Sequence, residues 1–168
     1  KKKEELENEE KIAESLIPEI EKIRQFKLEQ SRVAIYTGLN GFKTAVWEAT
    51  RTLKEKEEVL AMGVRSSKGE KFNKIWREWA DATLPKNHER VIFSEKGYFY
   101  EYKKKSKFSK IRFLESSTPN AIVVFGTHTV CIFKYEPQIK VILINDEVTA
   151  LTFKSFFEEL WKVAKEPK

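Results

Sequence analysis

The stretch "IYTGLNGFKTAVWEA", residues 35–49, passes from a β-branched and aromatic run through two glycines into apolar residues at helical spacing. It reads as the end of a strand, a turn and the start of a helix. Its surroundings extend that rhythm. "RVAIYTG" (32–38) completes the strand, "GFKTAVWEATRTLKEK" (41–56) the helix, and "EEVLAMGV" (57–64) supplies a second strand. Next come a helix "GEKFNKIWREWADATLP" ending near Pro85, a strand "RVIFS" (90–94), a helix "GYFYEYKKKSKF" with aromatics on one side, and a strand "KIRFLE". Alternation of this kind predicts right-handed crossovers and a mostly parallel sheet covered on both faces, an α/β fold.

From Asn120 the pattern becomes all strand: "AIVVFG", "TVCIFKY" and "IKVILIN", joined by short connections, read as an antiparallel meander. The closing segment "DEVTALTFKSFFEELWKVAKE" reads as a long helix with Asp146 as N-cap and Val148, Leu151, Phe156, Leu160, Trp161 and Ala164 toward the core. Ahead of the alternating part, residues 1–30 are rich in Glu and Lys, with Leu6, Ala13, Leu16, Ile20, Ile23 and Phe26 at helical spacing. That narrow stripe resembles a coiled-coil seam, so an amphipathic helix pairing with a second copy is expected. Pro18 removes a backbone donor within it, leaving two helices or one bent one open. The expected organisation is a dimerisation helix over 1–30 and an α/β domain over 31–168.

Composition bounds the function. The 168 residues are 40% hydrophobic with twelve phenylalanines, enough for one globular core, and the net charge of +6 permits contact with nucleic acid or phosphorylated ligands. One cysteine, Cys131 in "VCIF", allows neither a disulfide framework nor a zinc cluster and fits a reducing cytoplasm. The longest apolar run is interrupted at Gly126 to Thr129 and falls short of the roughly 20 residues a membrane span needs. The chain starts without methionine or a hydrophobic leader, which fits a piece of something longer.

Catalytic signals are sparse. The two histidines, His88 and His128, have no convincing partners, and no metal-ligand spacing such as H-E-x-x-H or C-x-x-C occurs, so neither an enzyme nor a cofactor nor a metal is expected. "TGLNG" lacks the lysine of a P-loop and the dinucleotide glycine pattern. What remains is the chemistry of strand ends. Thr37, Gly38, Asn40 and Gly41 lie at the first strand-to-helix turn, Arg65 and Ser66 after the second strand, Ser94 and Glu95 after the third, and Ser116 and Asn120 after the fourth. If those strands are parallel, all share one rim where ligands bind, with Thr37 and Asn40 facing a bound molecule. Gly38 is explained equally by a positive φ angle alone. The aromatic and basic stretch 97–112 has the composition to stack bases and neutralise phosphates, although aromatics at helical spacing also fit a core.

Taken in order, the charged N-terminal helix, the "Y-x-G-x-x-G-x-K" turn, "S-T-P-N-A-I" leading into "F-G", and the closing "F-F-E-E-L-W-K-V-A-K" helix resemble the C-terminal part of the archaeal TrmB-like transcriptional regulators. The resemblance spans nearly the whole chain. It implies a phospholipase-D-like mixed sheet flanked by helices, an N-terminal coiled coil that makes a homodimer, and a domain that senses a small effector. It also implies DNA binding through a winged helix-turn-helix, which this sequence does not contain. Phospholipase-D-like enzymes use an H-x-K motif, and the resemblance puts Asn120 and Ile122 where its histidine and lysine belong. The expectation is a ligand-sensing regulator without catalysis. The competing expectation is a phosphodiesterase or nuclease with a nonstandard site near Arg65, Glu95 and Glu115.

Overall fold

A computed structural model of the chain describes residues 1–29 and 31–168, the side chains of 23–29 excepted. The chain divides into two compact units, Lys1–Ser31 and Arg32–Lys168. The first is a single helix, α1 (Lys2–Glu29), which runs unbroken through Pro18. A proline deprives the helix of one hydrogen bond, and the neighbouring Glu, Leu, Ile and Lys are residues whose helical preference tolerates that loss. Leu6, Ile12, Leu16, Ile17 and Ile20 all stand exposed on it. Ile23 and Phe26 of the expected stripe, and Gln30, lie outside the described residues.

The second unit is built on seven strands: β1 (Arg32–Thr37), β2 (Glu58–Val64), β3 (His88–Phe93), β4 (Ser109–Phe113), β5 (Ala121–Phe125), β6 (Thr129–Lys134) and β7 (Lys140–Asn145). They form one mixed sheet in the order β1-β7-β6-β5-β2-β3-β4. Only β2–β3 and β3–β4 pair in parallel, and the remaining pairs are antiparallel. The expectation of a mostly parallel sheet is therefore corrected. The β5–β7 meander, which needs only tight connections, inserts between β1 and β2 and takes the place that a β1–β2 parallel pair would have held.

Alternation along each strand divides the core into two layers. On one face Val59, Ala61, Val91, Phe93, Val123, Phe125 and Phe133 pack against α2 (Gly38–Arg51), α3 (Glu70–Thr83) and α4 (Tyr98–Lys104). Aromatic rings dominate there, with Phe42 5.2 Å from Phe133 and Trp76 5.6 Å from Trp79, in tilted and edge-on arrangements. On the other face Leu60, Met62, Ile92, Val124 and Val130 pack against Ala150 and Phe157 of α5 (Glu147–Val163) and against Ala164, which caps its C-terminus.

Two further sequence expectations change. The segment after β1 is not a separate turn, because α2 begins at Gly38 itself, with Gly41 inside its first turn. Helix α5 is capped by Asp146, whose carboxylate accepts from the Thr149 N–H at 2.8 Å, but its inward residues are Ala150, Phe153, Phe157, Trp161 and Ala164. Val148, Leu151 and Phe156 are 72%, 62% and 57% exposed, and Leu160 is exposed as well. Apolar residues surround this helix on most of its circumference, so spacing alone does not choose the face. The narrow seat over the sheet selects the side where Ala150 and Ala164 permit close approach and Phe157 fills the centre.

Candidate functional site

Chain direction places the C-terminal ends of β1 to β4 on one edge of the sheet, together with the entry to β5 and the exit from β6. Arg65, Ser66, Ser94, Glu95, Ser116 and Asn120 are thus brought to a common rim. Thr37, Gly38, Asn40 and Gly41 lie on the same edge but four strand positions from β2, roughly 19 Å away at the usual spacing. The Gly38 N–H is already committed to the Ile139 carbonyl at 3.0 Å, and the Asn40 carbonyl accepts from Thr44. These four residues form a separate station from the Arg65 cluster.

At the rim Gly63 makes a bulge in β2 with φ +68. A Cβ there would stand 3.0 Å from Thr118 Oγ1 and 3.1 Å from the Asn120 carbonyl, so glycine lets residues 114–120 press against the strand. Two clefts open at this edge, with Pro119 on the wall of one and Asn120 on the wall of the other. On the α5 side a cleft of about 220 Å³ is lined by the polar residues Ser94, Ser116, Thr118 and Asn120 and by the apolar residues Met62, Ile92, Leu114, Ile122 and Leu160. Three residues expected from the sequence, Ser94, Ser116 and Asn120, meet here. The Ser94 hydroxyl is buried and directed to the Val64 carbonyl at 3.4 Å.

On the opposite side a cleft of about 480 Å³ is lined by Arg65, Lys68, Pro119, Tyr135, Glu136 and Pro137. Arg65 Nε donates to Glu95 at 3.2 Å, and the Ser67 hydroxyl donates to the same carboxylate at 2.8 Å. The Ser67 hydrogen bond, with the Arg65 guanidinium second, holds the Glu95 carboxyl below its ordinary range. Glu115 is exposed and takes no part in this network. Ser66 serves the scaffold: its carbonyl accepts from Asn73 at 3.2 Å and its hydroxyl from the Tyr100 N–H at 3.2 Å, anchoring α3 and α4.

Adjoining this cleft through Lys68 and Tyr135 is a small cavity of about 30 Å³ lined by, among others, Lys68, Glu89, Lys103 and Tyr135. Lys103 donates to Glu89 in a fully buried ion pair, and the Ser109 hydroxyl donates to the same oxygen at 2.6 Å. Lys68, 5% exposed, donates to the Arg65 carbonyl at 2.8 Å and sits 3.7 Å from the centre of the Phe99 ring. Burial, and then the charge of Lys103, lowers its pKa well below the lysine range. Tyr135 accepts from Trp76 Nε1 at 3.3 Å, and burial raises its pKa.

None of Lys68, Glu89, Lys103 and Tyr135 is among the strand-end residues expected to bind a ligand, although Lys103 lies in the basic stretch 97–112, and two carry a signal of burial. Lys103 follows Phe99 by four residues on a short helix, which puts it on the buried face. Glu89 precedes Val91 and Phe93 by steps of two, which puts it on the aromatic face of β3. Both histidines belong to the other edge. His88 opens β3, 3.8 Å from Glu58, and His128 occupies the β5–β6 turn with Nδ1 2.7 Å from Thr127. Among the described residues no group of three or more His, Cys, Asp or Glu is arranged to hold a metal ion. No helix among them is long and apolar enough to cross a membrane.

Of the basic stretch 97–112, Phe99, Tyr100 and Lys103 enter the core. Lys104, Lys107, Lys110 and Arg112 line an open groove of about 1000 Å³ with Glu58, Glu89 and Glu166 among its walls.

No protein-family model and no curated protein sequence matches the chain. Solved structures do. TrmBL2, an archaeal chromatin protein whose structure shows a novel mode of DNA binding, is similar with a TM-score of 0.65 and 18% identity over 98% of this chain. The chain spans 64% of that protein's length. NucT from Helicobacter pylori is similar with a TM-score of 0.61 and 10% identity, over 82% of this chain and 100% of NucT. Nuc from Salmonella typhimurium, a phospholipase D family member, gives 0.57 and 12%, over 83% of this chain and 99% of Nuc. At these identities the likeness is one of fold: the chain carries a phospholipase-D-like mixed sheet flanked by helices, together with an N-terminal helix.

Proposed function

We propose that the chain is the ligand-sensing and dimerisation part of a TrmB-like transcriptional regulator and does not catalyse. The observation that carries this reading is the wall of the α5-side cleft. Asn120 and Ile122 both line it, with Met62, Ile92, Leu114 and Leu160. These are the two positions where the resemblance to phospholipase-D-like enzymes calls for a nucleophilic histidine and a phosphate-binding lysine. An amide and an aliphatic side chain neither attack phosphorus nor neutralise its oxygens, whereas an apolar cleft with hydroxyls in its lining suits recognition. Fold alone does not carry a reaction.

In this reading the exposed apolar stripe of α1, with Leu6, Ile12, Leu16 and Ile20, joins two copies. DNA is engaged by an additional winged helix-turn-helix domain, as the resemblance to TrmB-like regulators implies, and the protein works in the cytoplasm. Ligand occupancy changes DNA binding to the extent that it favours one dimer geometry over another. The second reading, a phosphodiesterase or nuclease, rests on the fold shared with NucT and Nuc and on the Arg65–Glu95 pair at the rim.

Two measurements on the same preparation separate them. Incubation with bis(4-nitrophenyl) phosphate and with single-stranded DNA is expected to give no turnover above buffer. A thermal-shift panel of sugars, nucleotides and phosphorylated metabolites is expected to contain a compound that raises the melting temperature. Steady hydrolysis that disappears in Glu95→Gln would establish the second reading instead.

A further inference from the structure

The cavity adjoining the Arg65 cleft holds more positive charge than its surroundings neutralise. Lys68 and Lys103 both line it, with Glu89 as the carboxylate between its walls. Glu89 is already committed to Lys103 and Ser109. The other acids that act on Lys68 are committed elsewhere, Glu95 to Arg65 and Ser67 and Glu70 to Arg77. Lys68 is left with a backbone carbonyl and the face of a phenyl ring. A buried ammonium with only neutral neighbours is unstable unless it sheds its proton or gains an anion.

Lys68 and Tyr135 line both the small cavity and the larger cleft that adjoins it. The Lys68 ammonium has two N–H groups beyond the one given to Arg65. The Tyr135 oxygen accepts from Trp76, and its own proton meets no acceptor among the described residues. Both donors belong to the lining of a cleft large enough for a small metabolite. Glu136, in the same lining with Pro119 and Pro137, adds a negative charge. A ligand with negative charge at both ends is therefore disfavoured, and one with a single charged head and a neutral or amine-bearing body is favoured.

From this arrangement we infer that the effector carries one oxyanion head, a carboxylate or a phosphate monoester, seated on Lys68 and Tyr135 in the Arg65 cleft. The inference rests on the sensing reading above and specifies the ligand class. It has a signature that a surface ion would lack. Burial disfavours the charged form of Lys68 and an anion beside it favours that form, so binding raises its proton affinity and draws a proton from solution over the pH range where Lys68 titrates.

The test uses acetate and inorganic phosphate as probes, titrated calorimetrically into the full 168-residue chain at a series of pH values from about 7 to about 10, where both are ionised and the Lys68 titration is bracketed from above by its ordinary value. Each titration is run in two buffers of different ionisation enthalpy. One or both anions are expected to bind with net proton uptake, the preferred anion identifying carboxylate or phosphate as the natural head. Lys68→Met should weaken that binding roughly ten- to a hundredfold and abolish the uptake, and Tyr135→Phe should weaken it about tenfold while leaving uptake in place. The inference is overturned if neither anion binds, if binding is independent of buffer, or if Lys68→Met binds as well as the parent. It is overturned separately from the sensing reading if a neutral sugar or nucleoside stabilises parent and Lys68→Met alike. A thermal-shift panel without any hit would remove the sensing reading as well.

Discussion

The two faces of one sheet are packed by alternate residues of the same strands, and they solve the packing problem differently. Under α5 the contact is apolar throughout, and charge is confined to the margin. Arg90 there grips Glu58 through two nitrogens, at 2.6 and 2.9 Å, and Glu158 at 3.0 Å, while its guanidinium lies over Phe157 and Trp161. The hydrogen bonds to Glu158 and then Glu58 raise the Arg90 pKa above its ordinary high value, and Glu158 is lowered in return. Under α2, α3 and α4 the core is richer in rings but holds Lys68, Lys103 and Glu89 inside. The first face demonstrates that this sheet can seat a helix without buried charge. Charge on the second is therefore an additional commitment, and it coincides with a cavity and a rim cleft.

The difference can be broken from the apolar side first. Phe157 is fully buried and stacks on Trp161 with ring centres 5.5 Å apart. Phe157→Ala should destabilise the unit by about 4 kcal/mol in urea unfolding, with an unchanged denaturant slope, because transfer and cavity terms add at a site with no polar group to rehydrate. A loss below about 1 kcal/mol would mean that α5 is held by its Arg90 margin and not by its face.

From the charged side, Glu89→Gln leaves the Lys103 ammonium buried without its carboxylate. The expected loss is about 3 kcal/mol, and adding Lys103→Met should recover much of it, since the double variant leaves no charge in the core while the amide oxygen at position 89 still accepts from Ser109. Failure of the second change to rescue the first would show that the pair holds α4 to β3 by geometry, and the contrast between the faces would lose its functional meaning.

How far each face was legible in the sequence follows the same division. Strand positions, the meander and the Asp146 cap could be read because period-two alternation and capping chemistry are local signals. The seat of α5 could not, since Val148, Leu151, Phe156 and Phe157 are all apolar and only the shape of the sheet distinguishes them. Insertion of the meander between β1 and β2 was hidden for a related reason. A β-α-β pattern is compatible with adjacent strands or with strands four places apart, and the crossover helix α2 spans either. That hidden insertion separated Asn40 from Arg65. At the rim, strand-end positions gave Arg65, Glu95 and Asn120, whereas Lys68 reads as one more lysine in a loop. Only the fold of the turn 66–68 beneath Phe99 buries it.

Lys68 also gives the smallest and most diagnostic of these effects. Its native pKa is depressed by burial, so between that depressed value and the ordinary lysine value of 10.5 the unfolded chain binds a proton that the native chain does not. Stability in that window must rise with pH. Lys103 on α4, Arg77 and Glu70 on α3, and Glu95 beyond β3 all bear on the same group, with the two cations lowering it and the two acids raising it. Lys68→Met removes the titration and should stabilise the unit below the depressed value, an advantage that shrinks as pH rises toward the ordinary lysine value of 10.5. The comparison must be made against the parent at each pH. Cys131 titrates in the opposite sense: burial raises its thiol, so above its ordinary value of 9.0 the unfolded chain loses that proton first and stability falls for both proteins alike. A gap between Lys68→Met and parent that does not change with pH would mean that Lys68 keeps its proton in the empty site, satisfied by Phe99 and the Arg65 carbonyl. The charged face would then need no anion to complete it.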